Sequence, residues 1–170
     1  MKHLPLLLLL SSTALAQIGP EKLQNATPKE AMKLANLWRT STTGVKSFVT
    51  PENIEFTFPD GQTTKVPLPA DQMVIAIAPY INKTHPCKTH FMSSCTGEMQ
   101  NQSVDVLVKT ASGTTVMNRT VKTLPNGFLE LWLPRNRTYT VTLKAAGKSA
   151  SGTIATQKTS DTCITTFQQK

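Results

Sequence analysis

Hydrophobic residues follow two rhythms along the chain. Between Pro28 and Arg39, residues Met32, Leu34, Ala35, Leu37 and Trp38 recur near the helical period, which predicts one amphipathic helix over 28–39. Thr27 stands as its N-cap, Pro28 fits the first turn, and Glu30 completes a capping box. From Val45 the period falls to two. Val45, Ser47 and Val49 oppose Lys46 and Phe48, and Ile54 to Phe58 alternates again. Pro59-Asp60-Gly61-Gln62 reads as a turn, so Thr63–Leu68 returns as the second strand of a hairpin. Met73 to Ala78 is a continuous apolar run, suited to a central strand buried on both faces.

Beyond residue 100 the pattern predicts strands at Ser103–Thr110, Thr115–Lys122, Gly127–Leu133, Thr138–Ala145, Ser149–Thr156 and Thr162–Phe167, separated by turn residues. Leu129, Leu131 and Leu133 point one way; Glu130 and Trp132 point the other. The expected class is α+β: a small helix-plus-hairpin unit over 17–70, then a mostly antiparallel sandwich or barrel over 71–170. Pro67-Leu68-Pro69-Ala70 is the stiff connector between them. The first unit is too small to bury a large core, so it must pack on the rest of the chain or on a copy of itself.

The N-terminus departs from both rhythms. Lys2 supplies a positive charge, Leu4 to Leu10 an apolar stretch, and Ala14-Leu15-Ala16 a small-x-small cleavage site. Residues 1–16 therefore read as a secretory signal peptide cut before Gln17, leaving an exported chain with no membrane anchor. The formal net charge is +8, but the basic residues are dispersed and aromatics are few, which argues against a nucleic-acid partner.

Export changes the meaning of the cysteines. Disulfides persist outside the cytosol, and three cysteines cannot pair off completely. Cys87 and Cys95 flank His90 in the run His-Pro-Cys-Lys-Thr-His-Phe-Met-Ser-Ser-Cys, and Cys163 lies near the C-terminus. Thiolates and a neutral imidazole suit Cu(I) and Zn(II). A short helical turn opened by Thr84 and Pro86 would put Cys87 and His90 on one face; Cys163 can join them if the last strand pairs near 73–80. A Cys87–Cys95 disulfide with Cys163 as a buried hydrophobe stays open on these residues, as does a core or copper-side place for Met92.

The Cys-x2-His-x4-Cys run, Trp-Leu-Pro-Arg-Asn-Arg-Thr-Tyr at 132–139 and Asp-Thr-Cys-Ile-Thr-Thr at 161–166 together resemble the CueP family of periplasmic copper-binding proteins. The resemblance implies a periplasmic copper-stress protein that binds Cu(I) through Cys87, Cys95 and Cys163, with His90 as the supporting imidazole. It further implies an ability to reduce Cu(II), a homodimer formed by the N-terminal unit, and copper delivery to a periplasmic superoxide dismutase. Because a Cys87–Cys95 disulfide would disable the site, a periplasmic thiol reductant is a further expected partner. The chemistry admits two competing functions: a cupric reductase or thiol oxidoreductase, and a structural module whose site holds zinc.

Overall fold

The computed structural model describes residues 18–39 and 43–170; the expected leader and the cut before Gln17 lie outside them. A 3-10 turn at Pro20–Leu23 leads into helix α1 (Pro28–Arg39). Its N-terminus is capped reciprocally: Thr27 N–H donates to Glu30 Oε2 at 2.8 Å, and Glu30 N–H to Thr27 Oγ1 at 3.3 Å. Strands β1 (Lys46–Val49), β2 (Asn53–Thr57) and β3 (Thr63–Pro67) form an antiparallel sheet in the order β1-β2-β3. Trp38 sits edge-on to Phe56 and Phe58, with centroids 5.6 and 5.9 Å away. It is therefore a core anchor of its own chain, 5% exposed, and the large apolar side chain that α1 leaves outside is Leu37.

The remaining strands are β4 (Gln72–Ile77), β5 (Ser103–Thr110), β6 (Thr115–Lys122), β7 (Leu129–Pro134), β8 (Thr138–Ala145), β9 (Lys148–Ala155) and β10 (Cys163–Ile164). They make two further sheets, β10-β4-β7 and β6-β5-β8-β9. Met73, Ile75, Ile77 and Leu131 of one sheet share a core with Val106 and Val141 of the other. The α+β class holds, but no closed barrel forms among the described residues. β10 is also shorter than the 162–167 strand expected, and it runs parallel to β4. The reason is a divided edge: after Ile164 the chain bridges Tyr80 through Gln168, and Lys170 then exchanges two backbone bonds with Ser149 at the rim of the other sheet. One segment serving two sheet edges cannot extend along either.

β4 is buried on both faces, as its apolar run predicts, and it borders three cores. Met73, Ile75 and Ile77 face the shared inter-sheet core. Val74 joins Met92 and the apolar residues of the N-terminal unit. Ala76 and Ala78 face Cys95, Phe128 and Cys163. Ala76 in this otherwise bulky strand and Ala78 just past its end open the space where the thiols collect.

Candidate metal centre

Each cysteine is delivered by a different device. Cys163 enters on β10, in register with Ala76; Ala76 N–H donates to Thr162 O at 2.8 Å and Ala78 N–H to Ile164 O at 2.9 Å. Cys95 follows a tight turn in which Ser94 and Cys95 both donate to Phe91 O, at 3.1 and 2.8 Å. Arg39 of α1 braces this turn, donating to Met92 O at 2.9 Å and to Thr96 Oγ1 at 2.6 Å. Cys87 lies on an irregular segment, half-buried where the other two thiols are buried.

The helical turn expected over Thr84–His90 does not form. Its backbone groups are committed elsewhere: Lys88 O accepts from both Thr162 and Cys163, and His90 O accepts from Val49 of β1 at 2.9 Å. With partners supplied by β1 and β10, the segment has no need of bonds to its own preceding turn. Residues Cys87, His90 and Cys95 are therefore gathered by tertiary contacts and not by helical spacing.

The three sulfurs all lie within 4.8 Å of one another, and Cys87 Sγ is 3.6 Å from Cys95 Sγ. All three are free thiols. Three sulfurs bound to one ion at roughly 2.3 Å stand roughly 4 Å apart when trigonal, so the trio fits a single soft ion with little movement. Ala76, Ala78 and Phe128 wall the site with apolar surface.

Hydrogen bonds and burial set the three thiols apart. Hydrogen bonding from Cys163 and from the Phe91 N–H, with the His90 imidazole close by, pulls the Cys95 thiol down to about 3. Donation to Cys95, together with burial, pushes the Cys163 thiol up. Burial pushes Cys87 up to about 11, and its S–H points to Thr89 O at 3.1 Å. Cys95 is thus the sulfur that most readily carries charge, with Cys163 donating to it and the Cys87 S–H turned to Thr89 O. A metal that takes all three sulfurs must displace the protons of Cys87 and Cys163.

His90 stands beside the trio. It is fully buried, its ring centroid lies 4.4 Å from that of Phe128 with the two rings tilted at 41°, and neither ring nitrogen has a hydrogen-bond partner. It favours the Cys95 thiolate by proximity without closing a bond of ordinary geometry. An unpaired buried imidazole costs about 1–3 kcal/mol, so an ion between His90 and the sulfurs would satisfy an otherwise orphaned group. His85 is not among the grouped donors and its Nδ1 lies 3.3 Å from Pro86 O, while Met92 is wholly within the N-terminal core.

Thr162, Glu130 and Arg39 also belong to the site, although neither periodicity nor ligand spacing identifies them. Glu130 does leave a trace in the sequence: it is the acid between apolar residues in Leu-Glu-Leu-Trp-Leu, opposite Ala76 in register. Thr162 and Arg39 leave none.

A family model described as periplasmic copper-binding protein CueP matches residues 31–168. The crystal structure of S.CueP is similar to this chain at a TM-score of 0.81 and 30% identity, covering 88% of this chain and 92% of that one. No curated protein matches.

Proposed function

Since the chain belongs to the CueP family of periplasmic copper-binding proteins, we propose that it sequesters Cu(I) between Cys87, Cys95 and Cys163, with His90 as a fourth donor. The observation that carries this reading is the convergence of three sulfurs within 4.8 Å in an apolar, largely buried pocket. Three soft thiolates in a small trigonal space favour Cu(I) over Cu(II), and Zn(II) is the competitor because it takes the same donors in a tetrahedron. Cys87, the most exposed of the three, is the donor that first meets arriving copper.

In this reading the mature chain starts at Gln17, works in the periplasm as a homodimer assembled through residues 17–70, and passes copper to an acceptor such as superoxide dismutase. The support for the dimer and the acceptor is the family resemblance. Sedimentation of a chain lacking residues 17–70 tests the dimer, provided its melt shows that the rest still folds.

A second reading is favoured by the 3.6 Å approach of Cys87 to Cys95. Closing that disulfide from the Cys95 thiolate and the Cys87 thiol gives up two electrons and one proton, enough electrons to convert two Cu(II) to two Cu(I). It also consumes two of the three sulfur donors, so a thiol reductant must reopen the bond after each cycle.

X-ray absorption of the fully reduced protein titrated with Cu(I) tests the main reading. Three sulfur scatterers per copper are expected. A copper bound by oxygen and nitrogen alone, or a site that takes zinc and refuses Cu(I), overturns it.

A further inference from the structure

Both ring nitrogens of His90 are buried without a partner beside the three thiols. A histidine that offers one ring nitrogen to a metal carries its proton on the other, and a buried N–H needs an acceptor. The carboxylate that faces this ring is Glu130, with Oε1 4.0 Å from His90 Nε2. Glu130 leaves β7 on the side opposite Leu129 and Leu131, over Ala76, so it reaches the thiol pocket rather than the main core.

Its position is built from both sides. Asn36 of α1 donates through Nδ2 to Glu130 Oε1 at 2.7 Å and is itself tied to Met32 O at 3.0 Å. Asn36 Oδ1 accepts from Asn126 Nδ2 at 3.4 Å. Asn126, in turn, accepts from Phe128 N–H at 3.0 Å and, through its backbone carbonyl, from Gly97 N–H at 2.6 Å, anchoring the residue whose ring packs against His90. A carboxylate enclosed in this way, with 14% of its side chain exposed, has been given a fixed place beside an imidazole that lacks a partner.

We propose that Glu130 is the positioning residue of His90: its carboxylate takes the Nε2–H, holds the ring in one tautomer, and leaves the Nδ1 lone pair for the copper ion. This deepens the Cu(I)-binding reading and rests on it. Asn36 keeps the carboxylate in place, so α1 reaches the metal centre through side chains of two other elements.

The test uses the mature full-length chain, reduced and labelled with nitrogen-15. In the metal-free protein the His90 nitrogen shifts should report the Nε2–H tautomer, and Glu130→Gln should shift the population toward Nδ1–H. Competition with a Cu(I) chelator should show Glu130→Gln weakening binding by about 10- to 100-fold. In a His90→Asn background the same change should have no further effect. An unchanged tautomer and unchanged affinity in Glu130→Gln overturn the proposal. So does an affinity loss that persists without His90, which would mark Glu130 as a packing residue only. If Glu130→Gln does not fold, Asn36→Ser leaves the carboxylate present but unheld and should move both readouts in the same direction by less; no movement overturns the proposal equally. Should the wild-type chain refuse Cu(I), the copper reading fails by itself, and the tautomer in metal-free protein still decides whether Glu130 orients His90.

Discussion

The hydroxyl of Thr162 accepts the backbone N–H of His90 at 3.1 Å. The same hydroxyl donates its proton to Val49 O at 2.7 Å. One buried side chain beside Cys163 thereby fixes the segment that carries His90 and the first strand of the N-terminal sheet. Because β10 is only two residues long, its place depends on bonds of this kind as much as on ladder pairing.

Thr162→Val keeps the shape and removes both bonds, leaving the His90 N–H unpaired in a dry environment. A loss of about 1–3 kcal/mol is expected in urea unfolding of the metal-free protein. Thr162→Ser retains the hydroxyl and should lose less. Equal stability of the valine variant and the wild type would show that the two bonds contribute nothing net.

Cys163→Ser separates a ligand from a core residue. Cys163 is 1% exposed and donates to the Cys95 thiolate, a role a serine hydroxyl can take over. The fold should therefore survive with a melting temperature near that of the parent, while Cu(I) affinity in chelator competition drops by orders of magnitude. An unchanged affinity with a lowered melting temperature would remove Cys163 from the site.

Arg39 joins α1 to the Cys95 turn and places a positive charge near its thiolate. Arg39→Gln removes the charge and weakens the brace, so the thiolate is less favoured and the Cys95 thiol should titrate at higher pH. Ultraviolet thiolate absorbance followed against pH, with Cys87 and Cys163 replaced by serine, reads this directly. A titration that does not move would assign Arg39 to loop packing alone.

Glu98 gives the protein an acid limit. Its carboxylate accepts the backbone N–H groups of Ile81, Asn82 and Lys83 at 2.7, 2.9 and 3.3 Å, with a further bond from Asn82 Nδ2 at 3.0 Å. These bonds hold it down to about 2 in the folded chain. A depressed carboxyl stabilises the fold fully above its unfolded value near 4.5, and that contribution fades as pH falls toward about 2. Between those limits the melting temperature of wild type should decline more steeply than that of Glu98→Gln. Parallel curves would show that the clamp on residues 81–83 carries no linkage. Exposure of the group keeps the effect small.

Local pattern by itself determined the elements. Helix α1, the strand pairs on either side of Gly61, and the exact span of β5, β6 and β8 follow from periodicity and caps, because each depends on neighbours a few residues away. The burial of β4 on both faces is equally legible in its unbroken apolar run. Residue chemistry singled out Cys87, His90, Cys95 and Cys163 as candidates for a soft-metal site but left a Cys87–Cys95 disulfide equally open, and it was the resemblance of three separate segments to a known family that pointed to them as ligands. Tertiary structure decided where those donors meet. The path from His85 to His90 is irregular because β1 and β10 bond its backbone, and no spacing rule contains that choice. Cys163 reaches Cys87 and Cys95 through a two-residue parallel pairing with β4, which only the folded arrangement of distant segments selects. Glu130 faces His90, and Arg39 faces the Cys95 turn, for the same reason: a strand or helix shows which face a side chain occupies, but the partner across that face is set when separate elements pack.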